Sequence, residues 1–229
     1  MRRALAVVVL ALAAACRTLP FPDPELEGDY GKALKQWTRK VALYSGLETR
    51  AFVRVVYLSP DFVNAQALEI SRMRAEQPEQ AAQTLARLRE QYRQPSFFAI
   101  VYVPDRNAND WNAPDSVWRL ALNMGTGERA PDRIQRFDVP FSTEQRALYP
   151  YIDEYSVAYL LRFPDPSAPA PGSAARLASQ TFAPTEAQLI AAGAPGQMKF
   201  HWRLDGGPEP PSVAEPGPTQ QPATTPKQP

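Results

Sequence analysis

The chain has 229 residues, with 25 Lys and Arg against 24 Asp and Glu, a formal net charge of +1. That balance excludes the basic field that gathers nucleic acid or anionic lipid. A single cysteine leaves no internal disulfide and a single histidine no zinc centre, so the fold must stand on packing alone.

Arg2 and Arg3 form a short positive n-region, followed by the apolar run Ala4 to Leu12. That run is too short to span a hydrocarbon core of about 30 Å as a helix. Ala13, Ala14 and Ala15 follow, which is the layout of a secretory signal and not of a transmembrane span. The segment Ala13-Ala14-Ala15-Cys16 resembles the lipobox of bacterial lipoproteins, in which a cysteine follows an aliphatic residue and two small ones. Ala13 stands where that family usually has Leu, with Leu12 one step earlier.

The resemblance implies that residues 1–15 are a signal peptide and that Cys16 is acylated on its sulfur and on its new amino group. The other reading is plain secretion with Cys16 left as a thiol, a reactive liability in an exported chain. Each buried methylene contributes about 0.8 kcal/mol, so several acyl chains anchor firmly where one holds marginally. Arg17 occupies the position where the family's inner-membrane retention signal has Asp. By resemblance, the mature chain belongs at the periplasmic face of the outer membrane.

Residues 17–29 carry Pro20, Pro22 and Pro24 with Asp23, Glu25, Glu27 and Asp29, and few apolar side chains. With the lipidated cysteine they read as a spacer, residues 16–29. A single domain is expected over residues 30–205. A helical turn starts near Tyr30 with Ala33, Leu34 and Trp37 on one side. Trp37 to Tyr44 and Leu47 to Leu58 read as strands joined at Ser45-Gly46. The second is apolar on both faces, as a strand covered twice would be.

Ser59-Pro60-Asp61 is a helix start: a hydroxyl cap, a proline where no hydrogen bond is lost, and an acid at the positive end of the dipole. That helix is expected to run to about Glu76. From Pro78, Ala81, Leu85, Leu88 and Tyr92 recur at helical spacing. Residues 60–93 therefore read as a helical hairpin inserted after the second strand.

Strands are expected again at Phe97 to Val103, Ser116 to Asn123, Arg133 to Val139 and Glu154 to Phe163. Pro140 keeps the third of these short or at an edge, and Thr143 to Tyr149 reads as a helical turn. Asp165 to Ser173 is a proline-rich loop, Ala175 to Phe182 a strand, and Thr185 to Ala192 one or two helical turns. Met198 to Leu204 is the closing strand, with His201 outward beside Lys199 and Arg203. Residues 206–229 read as a disordered, proline-rich tail. The whole is expected to be mainly β, an antiparallel β-sandwich of immunoglobulin-like type with an inserted helical hairpin. A mixed α+β sheet is the alternative.

No nucleophile elbow, phosphate loop or set of zinc ligands accompanies these elements. Asp105, Asn107 and Asn109 have the one-three-five spacing of a calcium loop, but Asp110 stands where that loop needs Gly and Ser116 where it needs Glu. Asp and Asn also close turns through their own backbone. Trp111 sits in this polar loop, where an indole either marks a contact surface or folds back on the sheet. Asp105, Asn107, Asn109, Asp110 and Trp111 are thus the candidate contact loop, with no catalytic, cofactor or metal site assigned.

Leu43-Tyr44-Ser45-Gly46-Leu47-Glu48-Thr49, with Tyr57-Leu58-Ser59 and Phe62, is similar to uncharacterised proteobacterial lipoproteins. That likeness supports the compartment and implies no mechanism. The expectation is a non-enzymatic envelope lipoprotein that binds or scaffolds an envelope partner without a cofactor. A carboxylate-dependent envelope hydrolase and a small-ligand carrier are the alternatives.

Overall fold

The computed structural model describes residues 26–167, 184–205 and 211–217. The expected signal, Cys16, most of the expected spacer, the expected strand at 175–182 and the expected tail apart from residues 211–217 lie outside the described residues.

Helix α1, Gly28–Trp37, buries Tyr30, Leu34 and Trp37 along one side and is longer than the expected single turn. Thr38 then turns extended at φ −90° and ψ 134°, so the helix runs straight into β1, Thr38–Ser45. β2, Glu48–Tyr57, pairs antiparallel with it. The turn residues are Gly46 and Leu47, one position later than expected. Gly46 supplies the positive φ of 61° that the reversal requires.

Helix α2, Pro60–Met73, begins as its sequence dictates, with the Ser59 hydroxyl accepting from the Phe62 N–H at 3.1 Å. It stops short of Glu76, because Ala75 takes a φ of 48° and reverses the chain. Helix α3, Pro78–Gln91, returns alongside. The Glu76 carboxylate fastens the elbow, accepting from the hydroxyls of Ser71 at 2.8 Å and Thr84 at 3.1 Å.

Strands β3 (Ser96–Tyr102), β4 (Trp118–Asn123), β5 (Glu128–Arg129) and β6 (Arg133–Phe137) follow. After α4, Thr143–Leu148, come β7 (Val157–Arg162), β8 (Glu186–Gly193), β9 (Gly196–Arg203) and β10 (Val213–Pro216). Among the described residues these form two five-stranded antiparallel sheets, ordered β1-β2-β3-β7-β6 and β10-β9-β8-β4-β5. The molecule is mainly β with the helical hairpin inserted between β2 and β3, and β6 lies at an edge as Pro140 suggested. The strand order lends no support to the immunoglobulin-like detail.

Three expectations are corrected. Residues 186–193, expected as helical turns, form β8, which pairs with β4 on one side and β9 on the other. Part of the expected structureless tail, residues 213–216, is strand β10 on β9. Finally, β7 starts at Val157 and not at Glu154, because the Asp153 carboxylate accepts from the Tyr155 N–H at 2.9 Å and bends the chain there. Tyr155, in the part of that expected strand before the bend, is exposed.

The space between the sheets is filled by rings. Phe97 of β3 stacks on Tyr57 at 4.8 Å between centroids and meets Trp202 of β9 at 5.2 Å and Phe163 at 5.7 Å. Fully burying each such ring contributes about 1.5–3 kcal/mol. The opposite face of the first sheet is covered by the helices: Phe98 stacks on Tyr149 at 4.1 Å, and Tyr149 accepts from the Gln66 amide of α2 at 2.9 Å. The Tyr30 hydroxyl donates to the Leu148 carbonyl at 2.6 Å, docking α1 beside α4. The layers are therefore helices, sheet, sheet. No helix among the described residues is long and apolar enough to cross a membrane.

Candidate functional site

At one end of the sandwich the β1–β2 turn, the loop after β3 and the β8–β9 turn enclose an open groove of about 710 Å³. Glu48, Thr49 and Arg50 line it from the first hairpin, Asp105 and Ala108 from the candidate loop, and Ala194 and Pro195 from the third segment. Gly217, just past β10, completes the wall. Glu48 and Arg50 pair at 2.9 Å with both side chains largely in water. A surface pair of this kind contributes about 0–1 kcal/mol.

The structure splits the candidate loop into an outer and an inner part. Asp105 and Asn107 are exposed, and the Asp105 carboxylate accepts from the Asn107 N–H at 3.0 Å. Asn109 is buried, its amide donating to the Val101 carbonyl at 2.9 Å and its Oδ1 accepting from the Tyr159 hydroxyl at 3.0 Å. Trp111, 2 % exposed, stacks on Tyr159 at 5.6 Å. It is the indole folded back on the sheet and offers no outer contact surface.

Asp110 accepts from the Ser116 hydroxyl at 2.7 Å, and the Ser116 oxygen in turn accepts from the Trp118 N–H at 3.0 Å. Of the one-three-five oxygens, that of Asp105 thus serves the protein's own turn and that of Asn109 its core. Among the described residues no group of three or more His, Cys, Asp or Glu is placed to hold a metal ion. Of the five candidate residues, Asp105 alone lines the groove, beside Ala108 of the same loop.

His201 lies on β9 beside a second, smaller hollow of about 270 Å³, shared with Asn123, Glu186 and Gln188. Its Nε2 is 3.1 Å from the Gln188 amide nitrogen. Burial pushes the imidazole below the usual histidine value, against the opposing pull of Glu186. Among the described residues the ring meets an amide, and not the carboxylate that orients the base of a hydrolase triad.

No family model, curated protein or solved structure matches this chain. Its reading rests on its own residues. Sequence reasoning missed Glu48, Arg50, Ala194, Pro195 and Gly217 as lining groups. They come from segments far apart in the chain, and no local motif marks their convergence.

Proposed function

We propose that the chain is a membrane-anchored lipoprotein of the cell envelope, held at the periplasmic face of the outer membrane by acylated Cys16. Its sandwich is a binding or scaffolding module, not an enzyme, and meets an envelope partner at the end groove beside Asp105. The observation that carries this reading is the cysteine placed directly after a charged, apolar and small-residue leader. The open, mixed lining of the groove suits a polypeptide surface better than a small apolar ligand. The rings that fill the space between the sheets weigh against a carrier.

Replacing Cys16 with Ser tests the anchor. The variant is expected to fold as the parent does and to move from the membrane to the soluble fraction. Tight membrane association of that variant, or a native amino terminus with its leader intact by mass spectrometry, would overturn the placement.

One observation favours a second reading, a carboxylate-dependent hydrolase: Glu48 and Asp105 line the same groove. Both side chains are exposed, whereas a catalytic acid is ordinarily kept protonated by burial. Any hydrolysis that survives both Glu48→Gln and Asp105→Asn would remove this reading.

A further inference from the structure

Strand β10 is an unusual edge. It belongs to a proline-rich tail, yet it pairs in register with β9: Val213 with Lys199, Ala214 with Met198, Glu215 with Gln197 and Pro216 with Gly196. It also lies beside β1, so it covers the open side of the sandwich where one edge strand of each sheet would otherwise face water. Uncovered edges of that kind are templates for strand addition.

The seat is shaped for this segment. A Cβ on Gly217 would meet the Ala194 carbonyl oxygen at 2.2 Å, and one on Gly196 would meet the Glu215 carbonyl oxygen at 2.4 Å. The Gly217 N–H donates to the Pro195 carbonyl at 3.1 Å, and Glu215 reaches the Lys199 ammonium at 3.6 Å. Pro216, without an N–H, is tolerated because β10 ends the sheet.

The hold is nonetheless light. Ala214 is the residue of β10 that packs against the core, while Val213 is 39 % exposed. Met198, Phe200 and Trp202 of β9 are fully buried. A segment with so few apolar contacts opens well below the free energy of global unfolding, while the strand it leaves stays folded.

We propose that residues 211–217 are a releasable strap over a strand-addition slot on β9. The slot takes an extended segment of a partner protein running antiparallel to β9. That segment carries a small residue opposite Met198, an acid within reach of Lys199 and a glycine at the Ala194 contact. The strap holds the slot closed until such a segment displaces it. This deepens the binding-module reading but does not depend on the anchor: a failed Cys16→Ser test leaves the slot standing, and a failed peptide test leaves the anchor standing.

The probe is a labelled peptide of residues 211–217, titrated into the full-length chain and into the full-length Gly217→Val variant. The tethered strap competes at an effective concentration in the millimolar range, so unseating it is expected to tighten peptide binding by about tenfold or more. Equal affinity for both chains, or binding by neither, overturns the proposal. Hydrogen exchange on the unmodified chain decides the matter should the variant not fold. The Gly217 amide is expected to exchange far faster than those of Met198, Phe200 and Trp202, which face β8 while the His201 amide faces the strap, and equal protection overturns the proposal.

Discussion

The indole N–H of Trp202 donates to the backbone carbonyl of Trp37 at 2.8 Å, joining the end of α1 to a strand of the other sheet across 165 positions in sequence. The Arg39 guanidinium sits over the Trp202 ring at 5.7 Å and donates to the His201 carbonyl at 2.8 Å. One ring thus closes the side of the sandwich where β1 meets β9. Trp202→Ala is expected to cost about 3–5 kcal/mol, since it leaves a cavity as well as an unpaired carbonyl. Trp202→Phe keeps most of the packing and is expected to cost about half as much or less. Denaturant unfolding of the two variants checks the order.

Trp111 gives the second prediction. Its ring stacks on Tyr159, whose hydroxyl donates to the Asn109 carbonyl at 2.7 Å. Trp111→Ala is expected to destabilise the fold by about 3–5 kcal/mol, as a core truncation does. Tyr159→Phe, which leaves Asn109 short of a partner, is expected to cost about 1–3 kcal/mol. An unchanged unfolding midpoint in Trp111→Ala would return this indole to the surface.

The Ser59 cap is the third. Its hydroxyl satisfies the Phe62 N–H at the start of α2, and Ser59→Ala is expected to cost about 1 kcal/mol. Because Phe62 meets Tyr30 at 5.9 Å, the loss should also loosen α1. Faster amide exchange in both helices of the variant is the measurement.

Alkaline pH gives the fourth. Burial raises Tyr57 to about 12, and Tyr149 is raised as well, by burial first and then by the neighbouring Tyr30. Both groups are protonated in either state below about pH 10, where the stability they contribute is complete. As pH rises from about 10 towards 12 the unfolded chain loses these protons and the folded chain keeps them, so stability falls. For Tyr57 the gap amounts to about 2–3 kcal/mol. Urea midpoints measured from pH 9 to 12 should decline less steeply in Tyr57→Phe than in the parent.

Much of this architecture was legible from local chemistry. Ser59-Pro60-Asp61 starts a helix wherever it is placed, and the alternation of Met198, Phe200 and Trp202 reads directly as one buried face. β8 was not legible, because Glu-Ala-Gln-Leu-Ile-Ala-Ala is a good helix by propensity. Pairing with both β4 and β9 overrides that preference. β10 failed for the opposite reason: Val-Ala-Glu-Pro carries almost no apolar signal, and its place is fixed by two glycines in contact with another segment's backbone. Trp111 could be read either way from its polar neighbours, since its partner Tyr159 lies on β7.

The docking of α1 has a mechanical consequence. Tension arriving from residue 26 and before meets the Tyr30 clasp to Leu148 and then the buried Leu34 and Trp37. From Trp37 it passes along the backbone into β1 and, through the Trp202 indole N–H, to β9. A chain tugged at its amino terminus would therefore peel its first helix while both sheets stay whole, so that one short element yields before the core does.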